Sequence, residues 1–186
     1  MNNAEYKRKK LEYSYELFKA KKFFKKVRAV IVSNHQVYLI EVKYLNGVAD
    51  DLARDPSRAL YDTHYLLPGG GIDEGENPKT AAVRESLEEY GLTVKPVKYL
   101  GKSYYSVPMN IDGTAFKSNR VEYYYLCEPQ NDSETQQFGI EGEFEDKNKI
   151  YKKVKLSLED IKKLNPSDIN DMNQKTYDKL IEFLSK

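Results

Sequence analysis

Residues 66–92 read "LLPGGGIDEGENPKTAAVRESLEEYGL" and set Glu85, Glu88 and Glu89, with Glu76 upstream, beside three consecutive glycines. Like charges three and four apart on a helix repel by about 0.2–0.5 kcal/mol per pair. A divalent cation would neutralise that repulsion. Carboxylates together with backbone carbonyls of a glycine loop are hard oxygen donors, the set that suits Mg2+ or Mn2+. An ion held by a few carboxylates, with water and substrate phosphates completing its shell, is an arrangement for cleaving pyrophosphates. The loop is not a phosphate-cradling P-loop, because no Lys-Ser/Thr follows the glycines. Its spacing and acid-rich helix also differ from the dinucleotide-binding fingerprint.

The elements around this segment must hold it in place. Asn77 is a good N-cap and Pro78 suits a first turn, so a helix runs to about Tyr90, with Gly91 placed to end it in the left-handed conformation. At about 100° per residue, Glu85, Glu88 and Glu89 share one face. Val83, Leu87 and Tyr90 form an apolar stripe on the other, which predicts that the stripe enters the core and the carboxylates face away. A Glu-rich surface helix is the plain alternative, and the adjoining glycines weigh against it.

"VRAVIVS" and "QVYLIEVKY" are β-branched and aromatic runs joined by Ser33-Asn34-His35-Gln36, which predicts a hairpin. A short strand at "HYLLPGG" follows a polar insertion at 45–63. "TVKPVKYLGKSYYSV" and "RVEYYYLCEP" are further strands flanking a Pro/Asn/Gly loop at 108–119. "YKKVKLS" is a last strand, Ser157 caps "LEDIKKL", and a final helix over about 168–185 carries Tyr177, Leu180, Ile181 and Leu184 on one stripe. Leu11, Tyr15, Phe18 and Lys22 mark an amphipathic helix from 4 to about 22. Mixed strands with few helices argue one α/β sandwich.

Composition sets the limits. The chain has 186 residues, 40% hydrophobic and 32% charged, and a net charge of +1. This is the size of one domain with room for a real core, and there is no global attraction for polyanions. Charge is uneven: residues 1–28 hold ten Lys/Arg against Glu5, Glu12 and Glu16. Such an arm could touch phosphate or form a solvated helix face. Cys127 is the single cysteine, and with no apolar leader or membrane-length run the expected location is cytoplasmic.

The box at 70–92 resembles the signature of the Nudix hydrolases, G-x5-E-x7-R-E-U-x-E-E-x-G-U with U a bulky aliphatic. Gly70, Glu76, Arg84, Glu85, Glu88, Glu89, Gly91 and Leu92 fall in register. Ser86 departs from it, standing where the family carries an aliphatic residue. The resemblance implies an α/β/α sandwich with a mixed sheet and a loop–helix–loop box. A helical appendage at 1–24 would precede a hydrolase domain at 25–186. The implied reaction is hydrolysis of a nucleoside diphosphate linked to another moiety, with Mg2+ or Mn2+. Glu88 and Glu89 would ligate metal, with the Gly69 carbonyl a further ligand. Glu85 would ligate metal or orient the attacking water. Gly70, Glu76, Arg84 and Gly91 would shape the box, Arg84 by pairing with a carboxylate. The general base would be Glu85 or a glutamate from a late loop, where Glu141, Glu143 and Glu145 lie in "GIEGEFED"; a solvated acidic loop is the competing reading there.

Tyr104 and Tyr105 could offer a face for base stacking, although strand alternation buries half of such a run. Pro108 stands sixteen residues after Leu92, near the offset of a proline that recurs in ADP-ribose-cleaving members. A small nucleotide is the expected partner, not nucleic acid or a membrane, and a homodimer is a candidate assembly. Two other readings compete: a nucleotide sensor without catalysis, and an RNA 5′-end pyrophosphohydrolase that uses the basic N-terminal arm.

Overall fold

Asn34 and His35 both take positive φ, 50° and 58°, the handedness that lets a two-residue turn match the twist of paired strands. They join β1 (Phe24–Ser33) to β2 (Gln36–Tyr44), the hairpin that the sequence predicts. The computed structural model describes residues 3–44, 63–130, 149–169 and 172–186. Pairing of β1 with β2 runs only from Ser33↔Gln36 to Ile31↔Tyr38. Beyond that point the strands part, and β3 (Thr63–Leu66) with the glycine loop enters between them. On one side β3 pairs antiparallel with β2. On the other, Ala29 and Val27 donate their N–H groups to the carbonyls of Pro68 (2.8 Å) and Gly70 (3.0 Å). The glycines are thereby stitched into the middle of the sheet.

The remaining strands are β4 (Val94–Ile111), β5 (Thr114–Pro129) and β6 (Lys149–Ser157). β5 runs parallel to β1 and antiparallel to β4, and β6 pairs with β2, giving a mixed six-stranded sheet. The expected loop at 108–119 is instead the distal half of a long hairpin turning at Asp112-Gly113. Pro108 pairs with Lys117 there, which β4 tolerates because it ends the strand order and its outer edge needs no donor.

Helices cover both faces. Helix α1 (Asn3–Lys19) is followed by α2 (Pro78–Glu85), α3 (Leu158–Ile161) and α4 (Gln174–Leu184). Ala81, Ala82 and Tyr90 pack with Val27, Ala29, Ile31 and Ile40 on one face. On the other, Ile161, Tyr177, Leu180 and Leu184 pack with Val30, Leu39, Leu100 and Leu126. The last helix starts at 174 rather than 168, because Asn173 caps it by accepting from Thr176 N–H (3.0 Å) and a 3-10 turn fills Pro166–Asp168. Helix α1 ends at Lys19, shortly before Lys21 takes φ 55°. It lies across the far end of the sheet, with Tyr15 and Phe18 against Phe116 (5.2 and 5.5 Å) and Tyr13 edge-on to Phe24 (5.9 Å). Among the described residues, no helix is long and apolar enough to cross a membrane.

Candidate active site

The glycine loop works because it lacks side chains at two close approaches. A Cβ on Gly69 would lie 2.1 Å from the Val27 carbonyl oxygen, and Gly69 also holds φ +150°. A Cβ on Gly70 would lie 2.5 Å from Glu85 Oε1, so this carboxylate occupies the space that a side chain would fill. Helix α2 can therefore press its carboxylates directly onto bare backbone.

Which carboxylates do so corrects the expectation from the helical wheel. Glu85 and Glu89 are buried, at 7% and 9% exposure, and Ser86 is fully buried, whereas Leu87 is 39% exposed. The covered arc runs through Ala81, Ala82, Glu85, Ser86, Glu89 and Tyr90, so two of the three carboxylates face inward; of the expected stripe Tyr90 enters the core, Val83 is half-buried against it, and Leu87 is left outside. The wedge of β3 and the glycine loop decides this, since it covers the acidic side and offers donors there. Glu89 Oε2 accepts from Gly69 N–H at 2.8 Å. Glu88 remains outside, its side chain 57% exposed.

The helix also changes pitch at this point. Ser86–Tyr90 form a π turn that closes on Gly91, with φ 78°. The Ser86 hydroxyl donates to the Ala82 carbonyl at 2.6 Å, so the small polar residue completes a local hydrogen bond where an aliphatic side chain would pack. Lys153 of β6 donates to the Tyr90 carbonyl (2.8 Å) and secures the end of the turn.

Arg84 gathers the remaining carboxylates. Its Nε and one terminal nitrogen reach Glu76 (3.1 and 3.0 Å), and that nitrogen also donates to the Gly71 carbonyl at 3.0 Å. The other terminal nitrogen reaches Glu85 (2.8 Å) and Glu88 (3.1 Å). The hydrogen bonds that Arg84 donates hold the Glu76 carboxyl below its ordinary range, and the same bonds raise the Arg84 guanidinium further. Part of the like-charge repulsion is thus met inside the chain by one guanidinium.

A sequence profile of the NUDIX domain matches residues 24–173. The chain belongs to the NUDIX domain family. Over 88% of both chains the fold resembles a NUDIX hydrolase from Nitrosomonas europaea, at 16% identity and a TM-score of 0.50. The chain is 52% identical over 44 residues to an RNA pyrophosphohydrolase of Photobacterium profundum, covering 23% of this chain and 25% of that protein. A Haemophilus ducreyi protein of the same name is 47% identical over 49 residues, 26% of this chain and 25% of its own length. The chain therefore spans about a quarter of the length of the curated relatives it matches.

The donors of the NUDIX box fit a divalent cation in kind: Glu85, Glu88, Glu89 and the loop carbonyls are all hard oxygens. Burial of Glu85 and Glu89 makes a positive charge beside them favourable. Among the described residues, no three acidic, His or Cys side chains converge on one point as they stand. Arg84 lies between Glu85 and Glu88, and the Gly69 carbonyl already accepts from Arg28. An ion drawing on all of these oxygens would take over contacts that Arg84 now makes.

Arg28 and its partners form a second polar group that sequence reasoning missed. Arg28 Nε donates to Glu122 Oε1 at 2.7 Å, and a terminal nitrogen donates to the Leu67 and Gly69 carbonyls. Tyr124 donates its hydroxyl to Glu122 at 2.9 Å, and Lys26 Nζ lies 3.7 Å from the same carboxylate. Desolvation alone would raise Glu122, but Arg28 and Lys26 together hold it below its ordinary value. Burial, reinforced by Arg28, pushes Lys26 down to about 7. The available signal was a charge inside each of two apolar strand runs, "VRAVIVS" and "RVEYYYLC".

Tyr104 and Tyr105 are consecutive in β4 and occupy opposite faces of it. Tyr104 is 57% exposed, with Phe23 at 5.4 Å and Lys102 over its ring, whereas Tyr105 is half-buried beside Arg120. They do not form one stacking surface. Cys127 is buried and its thiol is pushed up to about 12 by burial, in keeping with an inert core residue. Glu141, Glu143 and Glu145 lie outside the described residues.

Proposed function

We propose that this chain is a pyrophosphohydrolase that cleaves a nucleoside diphosphate linked to another moiety, with Mg2+ or Mn2+ as cofactor. The observation that carries the reading is the burial of the Glu85 and Glu89 carboxylates against side-chain-free Gly69 and Gly70. Glu88 and Glu89 are the ligands we assign, with Glu85 as a further ligand or as the group that orients the attacking water. When bound, the cation would lower the pKa of a water molecule and shield the charge that develops on the bridging oxygen. Arg84 acts as a positioning residue: it holds Glu85 and Glu88 on one side and the Gly71 carbonyl on the other. Glu76 anchors Arg84 and accepts from Asp73 N–H, keeping the loop closed over the start of the helix. Burial keeps Glu85 largely out of bulk water, which suits a group that fixes one water molecule or takes its proton. Residues 25–186 form the catalytic domain in this reading, with 1–24 as an appendage.

The test is a panel of nucleoside-diphosphate compounds, including ADP-ribose, nucleotide sugars and nucleoside triphosphates, incubated with purified protein and either metal. Release of a nucleoside monophosphate is expected from at least one compound. Glu88→Gln should lower that rate about a hundredfold or more while leaving the melting temperature in place, because Glu88 is exposed. A protein that binds nucleotides and hydrolyses none of them would favour a sensor instead.

A second reading, hydrolysis at RNA 5′ ends, is supported by the local identity to RNA pyrophosphohydrolases and by the basic N-terminal segment. It predicts cleavage of 5′-triphosphorylated RNA with an apparent affinity that falls steeply with salt, and no such slope for mononucleotides.

A further inference from the structure

Beside the glycine loop, on the sheet face shared with α1 and α4, positive charge exceeds negative. β1 contributes Phe24, Lys26 and Arg28 to this face, and β5 contributes Arg120 and Glu122 opposite them through the register Phe24↔Arg120 and Lys26↔Glu122. Glu122 is shared by Arg28 at 2.7 Å and Lys26 at 3.7 Å. Arg120 has a different situation: its guanidinium lies over the Phe24 ring at 5.7 Å, donates to the Tyr105 hydroxyl, and donates to the thioether of Met109 at 3.7 Å. Its Nε is buried and has no hydrogen-bond partner among the described residues. A buried donor left unpaired is costly unless a ligand completes it. Helix α1, which precedes the NUDIX match, reaches this face through Tyr13, edge-on to Phe24 at 5.9 Å, and the charge of its Lys10 adds to those acting on Lys26.

The group adjoins the candidate active site at three points. The Phe24 ring comes within 3.7 Å of where a Cβ on Gly71 would sit, Lys26 bridges to Gly71 through the backbone, and Arg28 bonds the Gly69 carbonyl. We infer that Lys26 and Arg120, with Lys10 from the N-terminal helix, form an anion subsite that takes a substrate phosphate, so that α1 is a wall of the active site. The inference rests on the proposed pyrophosphohydrolase reading for the identity of its ligand and deepens it: the favoured substrate carries a phosphate group that reaches past the glycine loop. Phe24 and Tyr105 shape the subsite by holding the Arg120 guanidinium between them.

The test uses the full chain and inorganic pyrophosphate as the probe, by calorimetry and amide chemical-shift titration with divalent ions chelated. Arg120→Gln and Lys26→Gln should each weaken binding about tenfold, Lys10→Gln severalfold, and Arg120→Lys much less than Arg120→Gln. Shifts should centre on Lys26 and Arg120 and spare Glu88. If Arg120→Gln fails to fold, exposed Lys10→Gln and charge-keeping Arg120→Lys decide the matter. In the hydrolysis assay the same Gln variants should raise KM more than they lower kcat. Wild type that does not bind pyrophosphate, or variants that bind it equally well, would overturn the subsite. A chain that hydrolyses nothing yet loses pyrophosphate binding on Arg120→Gln would retain the subsite and refute the hydrolase reading. An active chain indifferent to Arg120→Gln would do the reverse.

Discussion

Glu89 accepts the Gly69 N–H at 2.8 Å, which fastens the inward side of the helix to the backbone of the glycine loop. A glutamine keeps a carbonyl oxygen for that hydrogen bond but loses the charge. Glu89→Gln should therefore leave the thermal midpoint within a few degrees of wild type and reduce turnover by about two orders of magnitude or more. Melting and rate measured on one preparation check both halves of the statement.

Gly69 and Gly70 should respond differently to alanine. At Gly69 the obstacle is the Val27 carbonyl, main chain inside a sheet, so Gly69→Ala should cost about 3 kcal/mol or more. At Gly70 the obstacle is the far end of the Glu85 side chain, which can swing aside. Gly70→Ala should fold nearly as well as wild type and lose most of its activity. Denaturant titration beside the hydrolysis assay separates the two.

Arg84 holds five oxygens within 3.1 Å, on Glu76, Glu85, Glu88 and Gly71. Arg84→Gln should destabilise the fold by about 2–3 kcal/mol, the scale of a lost set of charged hydrogen bonds in a half-buried site. Amide exchange should quicken first in residues 71–76, the loop that it anchors.

The buried Arg28–Glu122 pair sets an acid limit. Because Glu122 is held below its usual 4.5 in the folded protein, it binds a proton less readily there than in the unfolded chain. Its contribution is thus complete above that usual value and is lost as pH falls through the folded value. Glu76 acts in the same direction, so the decisive comparison is with Glu122→Gln. That variant should lose about 3–5 kcal/mol at neutral pH and show a shallower decline of the urea midpoint in acid than wild type.

Much of this could be read in the chain, because it is written locally. The Asn34-His35 turn, the Asn77 and Ser157 caps and the box spacing each depend on residues a few positions apart. The buried arc of the acid helix could not be read that way. It depends on a loop wedged between β1 and β2, and a count of apolar residues places Leu87 inside and Glu85 outside. Arg28 and Glu122 meet across 94 positions, a contact that only the parallel β1–β5 register creates. Pro108 suggested a loop because proline breaks ladders, and the edge position of β4 removes that conflict.

Direct titration with Mn2+, followed by loss of the free-ion paramagnetic resonance signal, goes to the heart of the matter. Wild type should bind the ion, while Glu88→Gln and Glu89→Gln, still folded, should bind it more than about tenfold more weakly. Equal binding by all three proteins, or none by wild type, would contradict the assignment of these carboxylates to a metal.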